Sequence, residues 1–259
     1  MRFFIGLVLA LALGVMGCSD AEGTGVSGWD AVCAGVSGGG GNGGSPTALA
    51  ALHFKEATGE GRGEYGPPLE GVEVCELCTT NCELTDADGW ADLQLPVGQE
   101  TGYTVVKEGY ASTLVPLVMP ETGYIGSAAI APDDLAAERN DQVMSPYPLT
   151  DTGWLQIQVW DDGGDGFPGA TFELTPPSGK AFYREEDNLS LDLDATTSRG
   201  VGGFTEVAPG TVQVTVGGTA ENCVVFMRGW PADSENSTTA PVVEGYRTRV
   251  RFICDEVAR

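Results

Sequence analysis

The sequence predicts an all-β protein, two tandem small antiparallel β-sandwiches behind a Gly-rich tether. Three observations predict it. Apolar residues recur in short alternating runs bounded by Gly, Pro, Asn and Asp, the pattern of strands joined by turns. No long amphipathic helix competes with them. The pattern also occurs twice, with turn glycines and strand aromatics at matching places in the two halves.

The elements follow in chain order. Residues 1–17 carry one basic residue, Arg2, and an apolar run from Phe3 to Met16. That run is too short to cross a bilayer and has the proportions of an export signal. It ends in Val15-Met16-Gly17-Cys18, which resembles the bacterial lipoprotein box: an aliphatic residue and small residues before an obligatory cysteine. The resemblance implies cleavage before Cys18 and a diacylglyceryl thioether on its sulfur. Several acyl chains anchor far better than one, at about 0.8 kcal/mol per buried CH₂. Ser19, rather than Asp, follows, and the usual sorting pattern then leads to the outer membrane, facing the periplasm or the cell surface.

Residues 18–46 form a tether. The stretch GGGGNGGSP at 38–46 cannot bury a core and behaves as a flexible leash. Trp29 to Cys33 interrupts it and is expected to dock on the first domain. A first sandwich over 47–125 follows from ALAALHFK (48–55), LEGVEVCEL (69–77), WADLQLP (90–96) and GYTVVKEGY (102–110), with Asp88-Gly89 as a tight turn. Residues 126–149 read as a linker with a short helix. Pro132 needs no N–H at a helix start, and Asp133 and Asp134 suit its positive end. A second sandwich over 150–255 follows from GWLQIQVW, PGATFEL, KAFYRE, LSLDLDAT, GGFTEV, GTVQVTV, CVVFM and YRTRVRFIC.

Net charge is −24, from 13 basic and 37 acidic residues, with one histidine. That excludes nucleic acid, whose phosphates demand Lys and Arg, and electrostatic docking on anionic lipid. It leaves a solubilising acidic surface, or attraction for divalent cations or basic partners.

PLEGVEVCEL (68–77) echoes FPGATFELTP (167–176), each with a turn glycine, Gly71 or Gly169, before alternating apolar residues. GWADLQLPVG (89–98) echoes GFTEVAPG (203–210), which makes Trp90 and Phe204 the expected inward aromatics. Gly71–Val74, Thr85–Gly89, Leu93–Gly98 and Lys107–Tyr110 occur in an order and spacing that resemble the carboxypeptidase regulatory-like domain. The resemblance covers most of 47–120 and implies a prealbumin-like (transthyretin-like) sandwich of about seven strands in an accessory role, with no catalytic residues. The second copy departs from it: it lacks T-D-A-D-G and has Thr197-Ser198-Arg199-Gly200 nearby. The whole layout is similar to exported lipoproteins of myxobacteria that carry such domains.

Six cysteines follow Cys18: Cys33, Cys75, Cys78, Cys82, Cys223 and Cys254. An even number in an exported chain predicts disulfides. On the implied fold, CELCTTNC (75–82) is a hairpin with Cys75 opposite Cys82. Opposed Cβ atoms lie roughly 4.5–5.5 Å apart or closer, near what a disulfide needs. Cys78 is then left for Cys33, and Cys223 for Cys254. The competing reading is a metal or redox site of Cys75, Cys78 and Cys82 with His53, since zinc takes four N or S ligands. A redox C-x-x-C belongs at a helix N-terminus, which lowers the thiol pKa, whereas 75–78 reads as strand and turn.

Other candidates each carry two readings. Asp161 and Asp165 in DDGGDGFPG (161–169) offer oxygens to Ca²⁺, but Phe172 stands at position twelve, where a bidentate Glu belongs; a Gly/Asp turn is the alternative. In YRTRVRF (246–252), Tyr246, Thr248, Val250 and Phe252 alternate inward, which sends Arg247, Arg249 and Arg251 outward as an anion or partner patch, or as charges that solvate a sheet face or protect an edge. Trp154, Trp160 and Trp230 are either a sugar-stacking platform or core. No G-x-S-x-G or H-E-x-x-H occurs, and no cofactor is implied. The sequence therefore predicts a non-catalytic, lipid-anchored envelope protein that binds or scaffolds, with a glycan or another envelope protein as partner. The competing functions are carbohydrate recognition and thiol or metal chemistry.

Overall fold

The computed structural model describes residues 28–35, 46–58, 65–231 and 234–254. The export signal, Cys18 and the glycine run of the tether lie outside the described residues. No helix among the described residues is long and apolar enough to cross a membrane.

The helix α1 (Gly28–Gly35) precedes a first half made of β1 (Thr47–Ala57), β2 (Tyr65–Pro68), β3 (Glu73–Glu76), β4 (Cys82–Leu84), β5 (Trp90–Pro96), β6 (Glu100–Val106), β7 (Thr113–Val118) and β8 (Tyr124–Ile130). Then come α2 (Asp133–Gln142) and a second half: β9 (Gly153–Asp161), β10 (Ala170–Thr175), β11 (Lys180–Glu185), β12 (Asn188–Ser190), β13 (Val201–Val207), β14 (Gly210–Gly218), β15 (Val224–Val225), β16 (Trp230–Pro231), β17 (Ser237–Val242) and β18 (Arg247–Cys254).

Each half packs two sheets. In the first, β1 pairs with β5 and β2 on one edge and with β8 on the other, facing the layer β4-β3-β6-β7. In the second, β12-β11-β13-β9-β18 faces β10-β14-β17-β16. Period-2 burial builds both cores. Ala50, Leu52 and Phe54 of β1 meet Leu93, Leu95, Val74, Tyr103 and Val105 in the first. Leu155, Ile157 and Val159 of β9 meet Val212, Val214, Val216, Val250 and Phe252 in the second.

Two features depart from the sequence reading. The sheets are not purely antiparallel: β8 runs parallel to β1, and β18 parallel to β9, because the closing strand of each half crosses from one sheet to the other. Trp90 points outward, 38% exposed, and stacks on His53 across the β1–β5 pair with ring centroids 4.4 Å apart. Ala91, Leu93 and Leu95 take the inward parity of β5, and Trp90 falls on the other. Phe204 is buried as expected.

The duplication is closer than the sequence suggests. Thr85 Oγ1 accepts from Val72 N–H (2.9 Å) and donates to Leu69 O (2.5 Å). Thr196 Oγ1 accepts from Ala170 N–H (2.9 Å) and donates to Phe167 O (2.7 Å). Four residues on, Gly89 O accepts from Phe54 N–H (2.9 Å) and Gly200 O from Val159 N–H (2.7 Å). TTSRG (196–200) thus performs in the second half what TDADG (85–89) performs in the first. Thr197 Oγ1 takes the Arg199 N–H where Asp86 Oδ1 takes the Asp88 N–H. The chemistry survives the change of letters because the turn needs only a short side-chain acceptor and a glycine with positive φ.

The halves share a sheet. β18 lies between β9 and β7, pairing with β9 over its whole length and with β7 at Arg247↔Thr113 and Thr248↔Leu114. The result is one ten-stranded sheet through both halves.

Candidate functional site

The state of the cysteines decides between structural and chemical roles. Cys75 and Cys82 are directly opposed on β3 and β4, with Cα atoms 4.0 Å apart, and form a disulfide. Glu76 N–H donates to Asn81 O (2.8 Å), closing the hairpin, and the Asn81 amide donates to Glu76 Oε2 and to Gln94 O. Cys78 sits at the tip with φ +64° and bonds to Cys33, Cα atoms 5.5 Å apart. Cys223 bonds to Cys254, tying the segment after β14 to the last strand. All three expected pairs are present.

The competing constellation does not assemble. Cys75, Cys78 and Cys82 are consumed in two different bonds, and neither joins Cys75 to Cys78. His53 sits on the opposite sheet, against Trp90, its Nε2 3.1 Å from Asp88 O. Among the described residues no group of three His, Cys, Asp or Glu side chains is placed to hold a metal ion. Asp161 Oδ1 accepts from Asp165 N–H (2.7 Å), and Asp161 N–H donates to Asp165 O (2.9 Å). This is the Gly/Asp turn of the sequence reading, with Asp161 itself buried.

Cys33 also places α1. Val32 is buried with Leu77 and Leu114 of the first half and Trp230 and Val243 of the second. Trp29 meets Tyr246 edge-on at 5.2 Å. The tether segment therefore docks on both halves, not on the first alone.

The arginines depart most from expectation. Arg247 and Arg249 are 7% and 8% exposed, and Arg251 is half-buried. Alternation on β18 does put Thr248, Val250 and Phe252 into the second core. The other face, read as solvent, is covered, so these arginines form no exposed patch. Arg249 Nη2 donates to Ala129 O of β8 (2.8 Å). Arg251 donates twice to Gln158 Oε1 (3.2 and 3.0 Å) and lies 4.0 Å above the Trp160 ring. Arg247 stacks over Trp154 at 5.0 Å. Burial, and then the repulsion of neighbouring guanidiniums, lowers Arg249 and Arg251 to about 9 and Arg247 to about 10, so all three stay cationic at neutral pH.

Two further residues complete this seam: Arg228, which the sequence reading did not single out, and Trp230, which it read as either sugar platform or core. Arg228, 4% exposed, donates from Nε to Tyr124 Oη (3.1 Å) and from Nη2 to Ser127 O (3.2 Å). Trp230, 3% exposed, donates from Nε1 to Thr101 O (2.6 Å). Trp154 is also buried, so neither it nor Trp230 offers a ring to a sugar. The available signal was an isolated arginine in CVVFMRGW, an apolar run of a chain with only 13 basic residues.

No protein-family model matches the chain, and no curated protein sequence matches it. Among solved structures it is similar to the minor pilin GBS52 of Streptococcus agalactiae, with 14% identity, coverage of 80% of this chain and 95% of that one, and a TM-score of 0.26. It is similar also to the shaft pilin spaA of Lactobacillus rhamnosus GG, at 11% identity, 80% and 98% coverage and a TM-score of 0.23. A DUF3823 family protein of Parabacteroides merdae gives 11% identity, 78% and 99% coverage and a TM-score of 0.23. Likenesses with TM-scores this low decide nothing about function, and the fold rests on the strand pairings above.

Proposed function

We propose that this chain is an exported, lipid-anchored, non-catalytic module of the cell envelope, in which two sandwiches are clasped into one rigid binding or scaffold unit. The observation that carries the reading is the pairing of all six cysteines after Cys18 into three disulfides. Such pairing belongs to an oxidising compartment and removes the thiols on which metal or redox chemistry would depend. The lipoprotein-box resemblance supplies the anchor at Cys18, and the resemblance to the carboxypeptidase regulatory-like domain supplies the accessory role. The test is the intact mass of the Cys18→Ser chain, exported and alkylated without reduction. Six blocked cysteines and no added metal mass are expected; free alkylation of Cys75, Cys78 and Cys82 would overturn the reading. Acyl labelling of the unaltered chain, absent in Cys18→Ser, tests the anchor.

A second reading, glycan recognition, is favoured by one observation. Trp90 and His53 present stacked rings on the outer face of the first half, with Ile125 79% and Leu49 41% exposed on the same sheet. Aromatic faces of this kind hold sugars by stacking. Glycan-array binding abolished by Trp90→Ala would establish this reading; an array without signal would remove it.

A further inference from the structure

A small pocket opens beside the seam, on the face of β9 turned away from the second core. Trp154 and Gln156 form its floor, since Leu155 and Ile157 take the inward parity. Phe182 and Arg184 of β11, Arg139 of α2 and Arg247 of β18 supply walls, and the free space is about 20 Å³. Three arginines thus line one space, close enough for Arg139 to act electrostatically on Arg247 and Arg184 on Arg139. Arg184 is paired with Asp187 at 3.0 Å, but Asp187 is exposed and also faces Arg199 at 3.6 Å. Among the described residues neither Arg139 nor Arg247 forms an ion pair. The Arg247 side chain, nine-tenths buried, donates no hydrogen bond to any described residue and lies over the ring of Trp154.

A buried cation without a partner is costly, and three that share a space repel one another. A guest that relieves this must be negative. It must also be small, because about 20 Å³ accepts little more than one water-sized centre. The donor set narrows it further. Guanidinium groups donate and never accept, so three of them leave a water's own hydrogens without acceptors, apart from the Gln156 carbonyl. A monatomic anion needs donors only. We propose that this pocket binds one halide-sized monovalent anion, held by Arg139, Arg184 and Arg247. The bound ion locks the linker helix α2 to the second half at the strand that joins the halves, and makes the seam sensitive to the anion present. Burial and the neighbouring Arg139 push Arg247 down to about 10, which leaves it fully charged at neutral pH for this role.

Crystals of the full chain carrying Cys18→Ser, soaked in bromide and measured at the bromine edge, test the site directly. The expected result is an anomalous peak among the three guanidiniums, retained when sulfate is added, because sulfate is too large for the space. In solution, chloride should raise Tm over gluconate at equal ionic strength by roughly 3–6 °C at about tenfold the dissociation constant. Arg139→Gln, at a partly exposed position, should abolish this gain, and Arg247→Gln should do the same if it folds. Equal Tm in the two salts, with bromide at the outer surface as an adventitious ion only, would overturn the proposal. Displacement of bromide by sulfate would overturn the size assignment and with it the halide.

Discussion

Truncating Trp230 separates two descriptions of the molecule: two sandwiches in a row, or one cooperative unit. Trp230 belongs to the second half, yet it is 3% exposed among Leu77 and Leu114 of the first and Val32 of α1, and its Nε1 donates to Thr101 O. Removing a buried Trp side chain costs about 3–5 kcal/mol. The stranded Thr101 carbonyl adds on the order of 1 kcal/mol or more, so Trp230→Ala should lose roughly 4–6 kcal/mol. Trp230→Phe keeps most of the packing and loses the donor, at about 1–2 kcal/mol. Urea unfolding followed by far-UV dichroism and by fluorescence reads both. The unaltered chain should unfold in one transition, coincident by the two probes, and Trp230→Ala should lower its midpoint or split it in two. Two separate transitions in the unaltered chain, neither moved by Trp230→Ala, would refute the clasped unit.

The three disulfides should rank by the loops they close, with sequence separations of 45, 31 and 7 residues for Cys33–Cys78, Cys223–Cys254 and Cys75–Cys82. Chain entropy gives roughly 4, 3.7 and 2.4 kcal/mol in that order, measurable by denaturation of the paired Ser variants. Thr85→Val and Thr196→Val should each cost about 2–4 kcal/mol, since each strands a buried N–H and a buried carbonyl; unequal costs would show that the two turns are not equivalent. Gly89→Ala puts a Cβ 2.5 Å from Phe54 O, and Gly200→Ala puts one against Val159 O, whereas Gly98→Ala meets nothing within 4 Å. The first two should therefore lose more thermal stability than the third, whose cost is the positive φ alone at about 1 kcal/mol. Tyr110 donates to Glu56 Oε2 at 2.6 Å, and that bond, helped by burial, raises its pKa to about 12. Folded chain then holds a proton that unfolded chain gives up near pH 10, so this stabilisation is complete below about 10 and is lost towards 12. The stability gap between the unaltered chain and Tyr110→Phe should close over that range; a constant gap would sever the bond from the shift.

What was legible in the sequence follows from what period and turn chemistry encode. Alternation located nearly every long strand, and the symmetric spacing of Cys75 and Cys82 about a turn fixed a hairpin disulfide, because both are local properties. Trp90 was misread because the repeat was aligned by residue type, while the parity of β5 is set by Ala91, Leu93 and Leu95. The arginines of β18 were misread for a different reason. Alternation says that Arg247 and Arg249 lie opposite Val250 and Phe252, and that is true. It does not say what lies on the other face, which depends on Arg228 and Trp230 reaching across from the second half and on β7 joining the sheet. Those contacts span about a hundred residues or more, such as Arg228 to Tyr124 and Arg249 to Ala129, and leave no periodic trace.

The two closing strands show how a duplicated module is turned into a finished one. β8 and β18 hold equivalent places, each parallel to the first strand of its half, and in isolation each would expose an outer edge of unpaired backbone groups. Such an edge invites pairing with another chain. β18 uses its edge inside the molecule, taking two residues of β7 and the short β15. β8 pairs with β1 alone among the described strands. Its carbonyls at Ser127 and Ala129, two residues apart and so on one edge, accept instead from Arg228 and Arg249. Guanidinium donors satisfy carbonyls without offering the alternating N–H and C=O that a new strand would need. Arg249, one of the three arginines expected to form a binding patch, therefore joins Arg228 in covering the outer edge of β8. Replacing Arg228 and Arg249 together by Gln should cost stability and expose that edge, and a shift of the variant from monomer to dimer or larger species on gel filtration would show the edge recruiting a second chain.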